Sequence, residues 1–508
     1  MSSITNTVNN ARRNIIWGFC NKITSIILPF FIRTIMIYYL GSEYLGLNGL
    51  FTSILQVLSL AELGFGEAMI FSMYKPISEE NSKDICALLN LYKKIYCSIG
   101  IIVLIAGLII LPYLKYLING PIPSGINIYY IYIIYLINTV SSYFLFAYKS
   151  SLLIANQRSD IKSNISTICS TVVYIIQIII LIFMKNYYYY LIFIPILTIA
   201  ENIITQIVSK RLYPQYYCEG NISKEEIKNI KKRVSGLFLY KICGVFRNSF
   251  DSIIISAFVG LIALSQFQNY YYIITSITGI IVVIATSITA GVGNNIIKKT
   301  IEENYKDFNK ILMLFMWISG WCTVCLYCIY QPFMKIWVGE NLLLSHETMA
   351  LFCAYFFTLK IGEICYVYRQ AAGLWWEDRY RPVIEAIVNL LLNIILVKKF
   401  GIIGVLLSTI ISLILINFLW GTHVLFKYYF RKNPKEYFMS IIYYSFITML
   451  NCYITYKICA IVDYSNYIDL LYRFVVCSIV PNIIFLVFYF KLPYFKQSMN
   501  LLRRVVNI

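Results

Sequence analysis

The sequence predicts an all-α integral membrane protein with about 14 transmembrane helices. Three observations lead there. Hydrophobic residues fill 59% of the 508 positions, and the mean hydropathy is +0.70. Only 13% of residues are charged, about half the share of a soluble domain. Apolar runs long enough to cross about 30 Å of hydrocarbon follow one another almost end to end. Nothing between them is long enough to be a soluble catalytic domain.

The runs fall at 14–40, 44–74, 86–111, 126–155, 165–184, 188–208, 236–259, 261–290, 311–334, 348–372, 382–397, 402–422, 440–461 and 468–490. Several exceed the roughly 20 residues of a straight crossing, which implies tilt. The longest link on the outer side is 112–125, with Pro121, Pro123 and Gly125. Inner links are longer and basic, the largest being 209–235. There Ser223-Lys224-Glu225-Glu226 has the pattern of a capping box. Ile227, Ile230 and Val234 then share a face ringed by Lys228, Lys231, Lys232 and Arg233. That pattern predicts a basic helix lying on the inner surface. Phe495, Met499, Leu502 and Val506 repeat it more weakly at the C-terminus.

Net charge is +19, from 43 Lys and Arg against 24 Asp and Glu. Its distribution argues against nucleic acid as the partner. With alternating spans and an inner N-terminus, roughly 29 basic residues fall inside and roughly five outside, at Lys115, Lys185, Lys335, Lys398 and Lys399. This positive-inside bias predicts that both termini face the cytoplasm. The polar start lacks a cleavable signal, so the first span is expected to stay. Tyr187 to Tyr190 sit at a span end, where amphipathic rings suit the interface. Among 14 cysteines, Cys322, Cys325 and Cys328 imitate a metal motif. The only histidines are His346 and His423 and no fourth ligand is near, so these thiols are expected to pack as small apolar residues. No cofactor, metal or disulfide framework is expected.

An internal repeat supplies the domain organisation. A shift of 219 residues lays Lys22 on Lys241, Gly41 on Gly260, Leu45 on Leu264 and Ile54 on Ile273. Both copies begin on the inner side, so they read as parallel repeats of six spans each. The expected division is an N-lobe at 1–222, a C-lobe at 223–432, and an appended helix pair with a cytoplasmic tail at 433–508.

Charges inside spans are the candidates for function. A charge at mid-bilayer costs about 2.5–3.5 kcal/mol even on the lenient insertion scale. Lys457 and Arg473 lie near outer ends and can snorkel, and Glu385 lies at an inner start. Lys149 and Glu201 lie in inner halves of their spans. Lys22 and Arg33 are 11 residues apart, hence on one helix face about 16 Å apart along the axis. No acid in that span neutralises them. They read as cations facing a wet cavity that receives an anion, with snorkelling in opposite directions as the alternative. The seventh span adds Lys241, Arg247, Asn248 and Asp251, where Arg247 and Asp251 can pair at i,i+4. The tenth holds Lys360, Glu363 and Arg369, with Lys360 and Glu363 at i,i+3. Glu62 and Glu67 flank Gly64 and Gly66, which loosen the second span. These acids are either counter-ions to the cations or the coupling groups for an ion gradient.

The stretch LGSEYLGLNGLFTSILQVLSLAELGFGEAMIFSMYKPI, Leu40 to Ile77, resembles the N-terminal signature of bacterial polysaccharide export proteins, the Wzx-type O-antigen and capsule flippases. AYKSSLLIANQRSDI and LYKICGVFRNSFDSIIISAFVGL are similar to the same family, which shares a superfamily with MATE drug exporters and the lipid II flippase MurJ. The resemblance implies two six-helix lobes rocking around a central cavity. It implies a substrate of oligosaccharide on undecaprenyl pyrophosphate, carried from the inner to the outer leaflet of a bacterial plasma membrane. It also implies cavity cations that bind the pyrophosphate, at Lys22, Arg33 and Lys241 by placement, and a lipid-tail groove on the two extra helices. Expected partners are membrane lipids, a polysaccharide polymerase and glycosyltransferases. The abundance of Ile, Tyr, Asn and Lys, residues of AT-rich codons, fits a low-GC bacterium.

Two other classes fit the sequence less well. A MATE-type ion-coupled exporter would use cavity acids for organic cations, usually with twelve spans. A membrane polymerase would need a sizeable outer domain, and the longest outer link is of ordinary length. No HExxH, GxxxxGK[ST] or Ser-His-Asp arrangement occurs. Without an ATPase motif, energy must come from gradients, membrane potential or substrate supply.

Overall fold

The computed structural model describes residues 2–62, 64–461 and 467–506. Within its helices the side chains of 2–12, 15, 61, 232, 233, 235–243, 287, 290, 502 and 504–506 lie outside the described set. All regular elements among the described residues are helical. Two compact units form, Met1–Ser265 and Gln266–Ile508.

In the first unit α1 (Ser2–Tyr39) lies along α7 (Ser159–Phe183). Lipid-facing apolar surface gains nothing by moving onto protein, so polar contacts and close packing must hold such a pair. Asn14 Nδ2 donates to the Gln157 carbonyl at 3.1 Å, and the Asp160 N–H donates to Asn14 Oδ1 at 2.7 Å. Asn21 Nδ2 reaches Thr167 Oγ1 at 3.1 Å. Arg158 and Asp160 form a two-pronged ion pair at 2.9 and 3.1 Å. Its hydrogen bonds hold the Arg158 guanidinium above its ordinary pKa. Much of the AYKSSLLIANQRSDI stretch is thus a staple for the start of α1.

The second apolar run is broken. It forms α2 (Ser42–Leu58), a 3₁₀ turn at Ser59–Glu62, and α3 (Phe65–Ser78). Gly64 stands between them at φ 89°, a left-handed conformation that a side chain would strain. The loosening expected from Gly64 is a complete interruption. Next come α4 (Ser82–Ile110), α5 (Ile128–Phe144), α6 (Tyr148–Ala155) and α8 (Tyr187–Leu212), with a 50° bend between α5 and α6.

Helix α9 (Lys224–Phe258) completes this unit and packs on α2. Ser223 caps it by accepting from the Glu226 N–H at 3.2 Å. The predicted surface helix is therefore the beginning of the seventh span itself, since no proline separates the two. At the other end of α9, Asn119 of the outer link clasps the last turn. Its N–H donates to the Ser256 carbonyl at 3.0 Å and its Nδ2 to the Phe258 carbonyl at 2.8 Å.

The repeat has a physical counterpart. Helix α1 ends with the N–H groups of Leu40 and Gly41 both donating to the Met36 carbonyl, at 2.9 and 3.1 Å. Helix α9 ends with Val259 and Gly260 both donating to Ile255, at 2.8 and 2.9 Å. Gly41 and Gly260 take φ 111° and 123°, and each launches the next helix, α2 and α10 (Leu261–Lys298). Leu45 and Leu264 are then both fully buried. Identical spacing reflects an identical helix-stop device.

The second unit is organised on α11 (Ile301–Val338), which packs against α12 (His346–Ile361), α16 (Lys435–Cys459) and α17 (Tyr467–Tyr489). Its start is a complete capping box. Thr300 Oγ1 accepts from the Glu303 N–H, and Glu303 Oε2 accepts from the Thr300 N–H at 2.9 Å. Gly320 permits close approach, because a Cβ there would meet Phe485 at 2.7 Å and Thr448 Oγ1 at 2.9 Å. Phe308 sits among Tyr368, Phe430 and Tyr437 at centroid distances of 5.2, 5.2 and 5.6 Å. Such ring pairs are each worth about 0.5–1.5 kcal/mol beyond area burial. The remaining elements are α13 (Glu363–Ala371), α14 (Arg381–Phe400), α15 (Ile402–Phe430) and the terminal α18 (Phe495–Val506). Buried Ser498 ties α18 to α11, its Oγ donating to the Lys310 carbonyl at 3.2 Å.

Among the described residues ten helices are long and apolar enough to cross a membrane, or eleven if the bent α5–α6 pair is one span. Fourteen apolar runs thus reduce to eleven by this measure. The three that fall short are the second, broken at Gly64, and the seventh and eleventh, α9 and α14. Every 18-residue window of α9 or α14 carries at least three charged residues. The shortfall lies where charge and helix breaks concentrate.

Candidate functional site

Two cavities open within the first unit, and Gln56 and Ser59 of the second run line both. The first has a volume of about 390 Å³ and the second about 600 Å³.

Arg33 brings a positive charge to the first cavity. It is half-buried on α1, one turn after Pro29, which lines the same space. Proline removes a helical hydrogen bond and favours a kink there. The lining adds the amides and tyrosines Asn48, Asn138, Gln177, Tyr135, Tyr174 and Tyr190 to apolar side chains such as Leu55 and Ile194. Several are held in place. Gln177 Nε2 donates to the Tyr190 carbonyl at 3.0 Å, and Asn138 Oδ1 accepts from Thr198 at 2.6 Å. Tyr187 and Tyr190 stack at 5.8 Å and are buried, whereas Tyr189 is exposed. Only part of the Tyr187 to Tyr190 run therefore faces outward as expected of an interface, because a helix turns successive residues to different sides. Amides and aromatic faces beside a guanidinium suit a hydroxyl-rich anionic head group.

The second cavity carries the acids. Glu62 ends the 3₁₀ turn and accepts a hydrogen bond from Tyr96, whose hydroxyl accepts from Tyr92 at 2.9 Å. A Cβ on Gly66 would lie 3.2 Å from the Tyr92 hydroxyl, so this glycine admits the tyrosine pair. Exposed Glu67, with Gly244 and Asn248 of α9, completes the lining. Ser249 Oγ donates to Gln56 Oε1 at 3.2 Å, tying α9 to α2 beside both spaces.

The other sequence candidates are distributed differently. Lys22 is half-buried and lines neither cavity. The Lys241 side chain lies outside the described set. Arg247 is half-buried and Asp251 buried on α9. Lys149 is buried, with its Nζ donating to the Tyr216 carbonyl at 3.2 Å, while its neighbours Ser150 and Ser151 reach the second cavity. Glu201 pairs with Lys162 at 2.5 Å. In the second unit, buried Lys360 pairs with Glu363 at 3.2 Å. Arg369 lies 3.6 Å from Asp378 and packs so tightly on Gly421 that a Cβ there would come within 2.1 Å of its Nη1. Arg381 joins them, 2.7 Å from Asp378 and 3.2 Å from Glu385. Asn417 Nδ2 adds a bond to Glu385 at 2.8 Å. These groups form a buried ion network.

Sequence reading singled out the charges and passed over the amides and tyrosines. The available signal was the recurrence of Asn48, Gln56, Asn138 and Gln177 within apolar runs, where an amide without partners is costly.

Ten or eleven helices of spanning length among the described residues define a multi-pass membrane protein. Its fold is similar to that of the lipid II flippase MurJ in an inward closed conformation. That match has a TM-score of 0.65 at 17% identity and covers 94% of this chain and 99% of the other. It is similar also to an inward-facing multidrug resistance MATE family transporter of the MOP superfamily, with a TM-score of 0.58 at 14% identity over 77% and 92% of the two chains. No curated protein sequence matches. A family model of polysaccharide biosynthesis proteins matches residues 11–290, more than half of the sequence. The chain belongs to that polysaccharide biosynthesis family.

Proposed function

We propose that the protein is a flippase that moves an undecaprenyl-pyrophosphate-linked oligosaccharide from the inner to the outer leaflet of a bacterial plasma membrane by alternating access. Both termini then face the cytoplasm, and the product passes to a polymerase and sugar transferases of surface polysaccharide synthesis. The observation that carries this reading is Arg33 set in a cavity lined by amides, tyrosines and apolar side chains. A pyrophosphate crossing the bilayer loses its hydration. A guanidinium replaces that hydration with charge-assisted hydrogen bonds and its planar fork matches phosphate oxygens. Amides are suited to sugar hydroxyls and tyrosine rings to the apolar faces of sugar rings. The lipid tail needs no shelter, because it stays in hydrocarbon. Glu62 and Glu67 serve this reading as counter-charges facing the adjoining space.

Ligand stabilisation of the detergent-solubilised protein tests the reading. A polyprenyl-pyrophosphate saccharide is expected to raise Tm, in proportion to the logarithm of its concentration over Kd. The matching uncharged polyprenol should leave Tm unchanged. Stabilisation by a lipophilic organic cation, with none from the pyrophosphate saccharide, would overturn the assignment.

A further inference from the structure

The run Cys322, Cys325, Cys328 suggested cysteines packing as small apolar residues, with no further ligand near in sequence. In three dimensions Cys328 of α11 meets Cys459 of α16 and Cys477 of α17, and all three are buried. Their Sγ atoms lie within 4.8 Å of one another, the one such grouping of His, Cys, Asp or Glu ligand atoms among the described residues. Plain helix packing requires small side chains at a contact. It does not require three helices to direct sulfur at a common point.

We propose that Cys328, Cys459 and Cys477 form a three-thiolate site for a soft, low-coordinate cation of which copper(I) is the type. Three sulfurs around one metal at about 2.3 Å would be about 4 Å apart, so an inward shift of under about 1 Å closes the site. Zinc normally takes four ligands in structural sites. No fourth His, Cys, Asp or Glu atom joins this cluster among the described residues. Thiolate softness and the missing fourth ligand together favour copper(I). On binding, each S–H gives its proton to water as a metal–sulfur bond forms. Copper enters and stays as the monovalent ion, so no electron is exchanged.

An ion pair flanks the cluster. Arg473 sits beside the cluster, its Nη1 donating to the Cys328 carbonyl at 3.5 Å and its Nε to Asp469 at 2.8 Å. Cys459 is the last residue of α16, and the next residue, Ala460, is exposed. Occupancy would staple α16 and α17 to α11.

Copper(I) titration of the purified full-length protein under reducing conditions, against a chromogenic chelator, tests the site. The wild type is expected to hold one more copper(I) per chain than the C328S/C459S/C477S variant, because every other cysteine is common to both. Copper should raise the Tm of the wild type and of a C322S/C325S control, and X-ray absorption should show a sulfur-only shell. The single variant Cys477→Ala, checked for a monodisperse elution profile, should bind at least tenfold more weakly and so guards against a misfolded triple variant. Equal copper content in the wild type and a well-folded Cys477→Ala would overturn the proposal. So would a disulfide within the trio in protein isolated without reductant.

Discussion

Alanine in place of Arg33 should cut translocation of a pyrophosphate-linked saccharide about 10–100-fold. A hydrogen bond to a charged group contributes about 1.5–3 kcal/mol, and about 1.4 kcal/mol is a factor of ten. Arg33 brings the cationic side chain to a cavity otherwise lined by neutral amides, hydroxyls, aromatic rings and apolar groups. Lysine at this position keeps the charge and loses the planar fork, so Arg33→Lys should fall between the wild type and alanine. Lys22 lines neither cavity, and Lys22→Ala is expected to slow transport less than Arg33→Ala. Initial rates in reconstituted vesicles, normalised to inserted protein, give the comparison. An Arg33→Ala protein as fast as the wild type removes the guanidinium from the substrate path.

The second large effect concerns stability. Asp378 stands between two buried arginines, 2.7 Å from Arg381 and 3.6 Å from Arg369. Neutralising it removes the carboxylate nearest both guanidiniums, while Glu385 stays 3.2 Å from Arg381. Removing one partner of a buried pair costs about 3–5 kcal/mol, because the remaining charge has lost its hydration and its counter-charge. Asp378→Asn is therefore expected to lower the thermal midpoint sharply and to reduce recovery of monodisperse protein. Arg369→Met should do less harm, since Arg381 still holds Asp378 through two bonds of 2.7 and 2.8 Å. Wild-type-like melting of Asp378→Asn would show that the network is wet and weakly coupled.

Legibility followed the range of the interaction. Apolar runs are continuous signals, so helical spans could be read directly, and Lys360 with Glu363 could be paired because residues three apart stay close, here across the turn at Gly362. Lys22, Gly41 and Leu45 recur at one spacing in the sequence, and the helices they mark end alike, at the Met36 and Ile255 carbonyls. Contacts across long separations left no local mark. Cys328 gives no hint of Cys459 or Cys477, nor Arg369 of Asp378 beyond an intervening turn. The break after Glu62 was foreshadowed by Gly64 and Gly66, and the Tyr92 hydroxyl packs where Gly66 lacks a side chain. The cavity wall was overlooked because amides and tyrosines barely lower the hydropathy of a run, while lysine and arginine do so visibly.

Transport by the purified protein alone tests the central claim most directly. Vesicles would carry the labelled polyprenyl-pyrophosphate saccharide in one leaflet, and a sugar-modifying enzyme sealed inside would report its arrival in the other. Label should become accessible far faster with the wild-type protein than in protein-free vesicles, and Arg33→Ala should remove most of the difference. Appearance no faster than in protein-free vesicles, from protein that is folded and correctly inserted, would contradict the account.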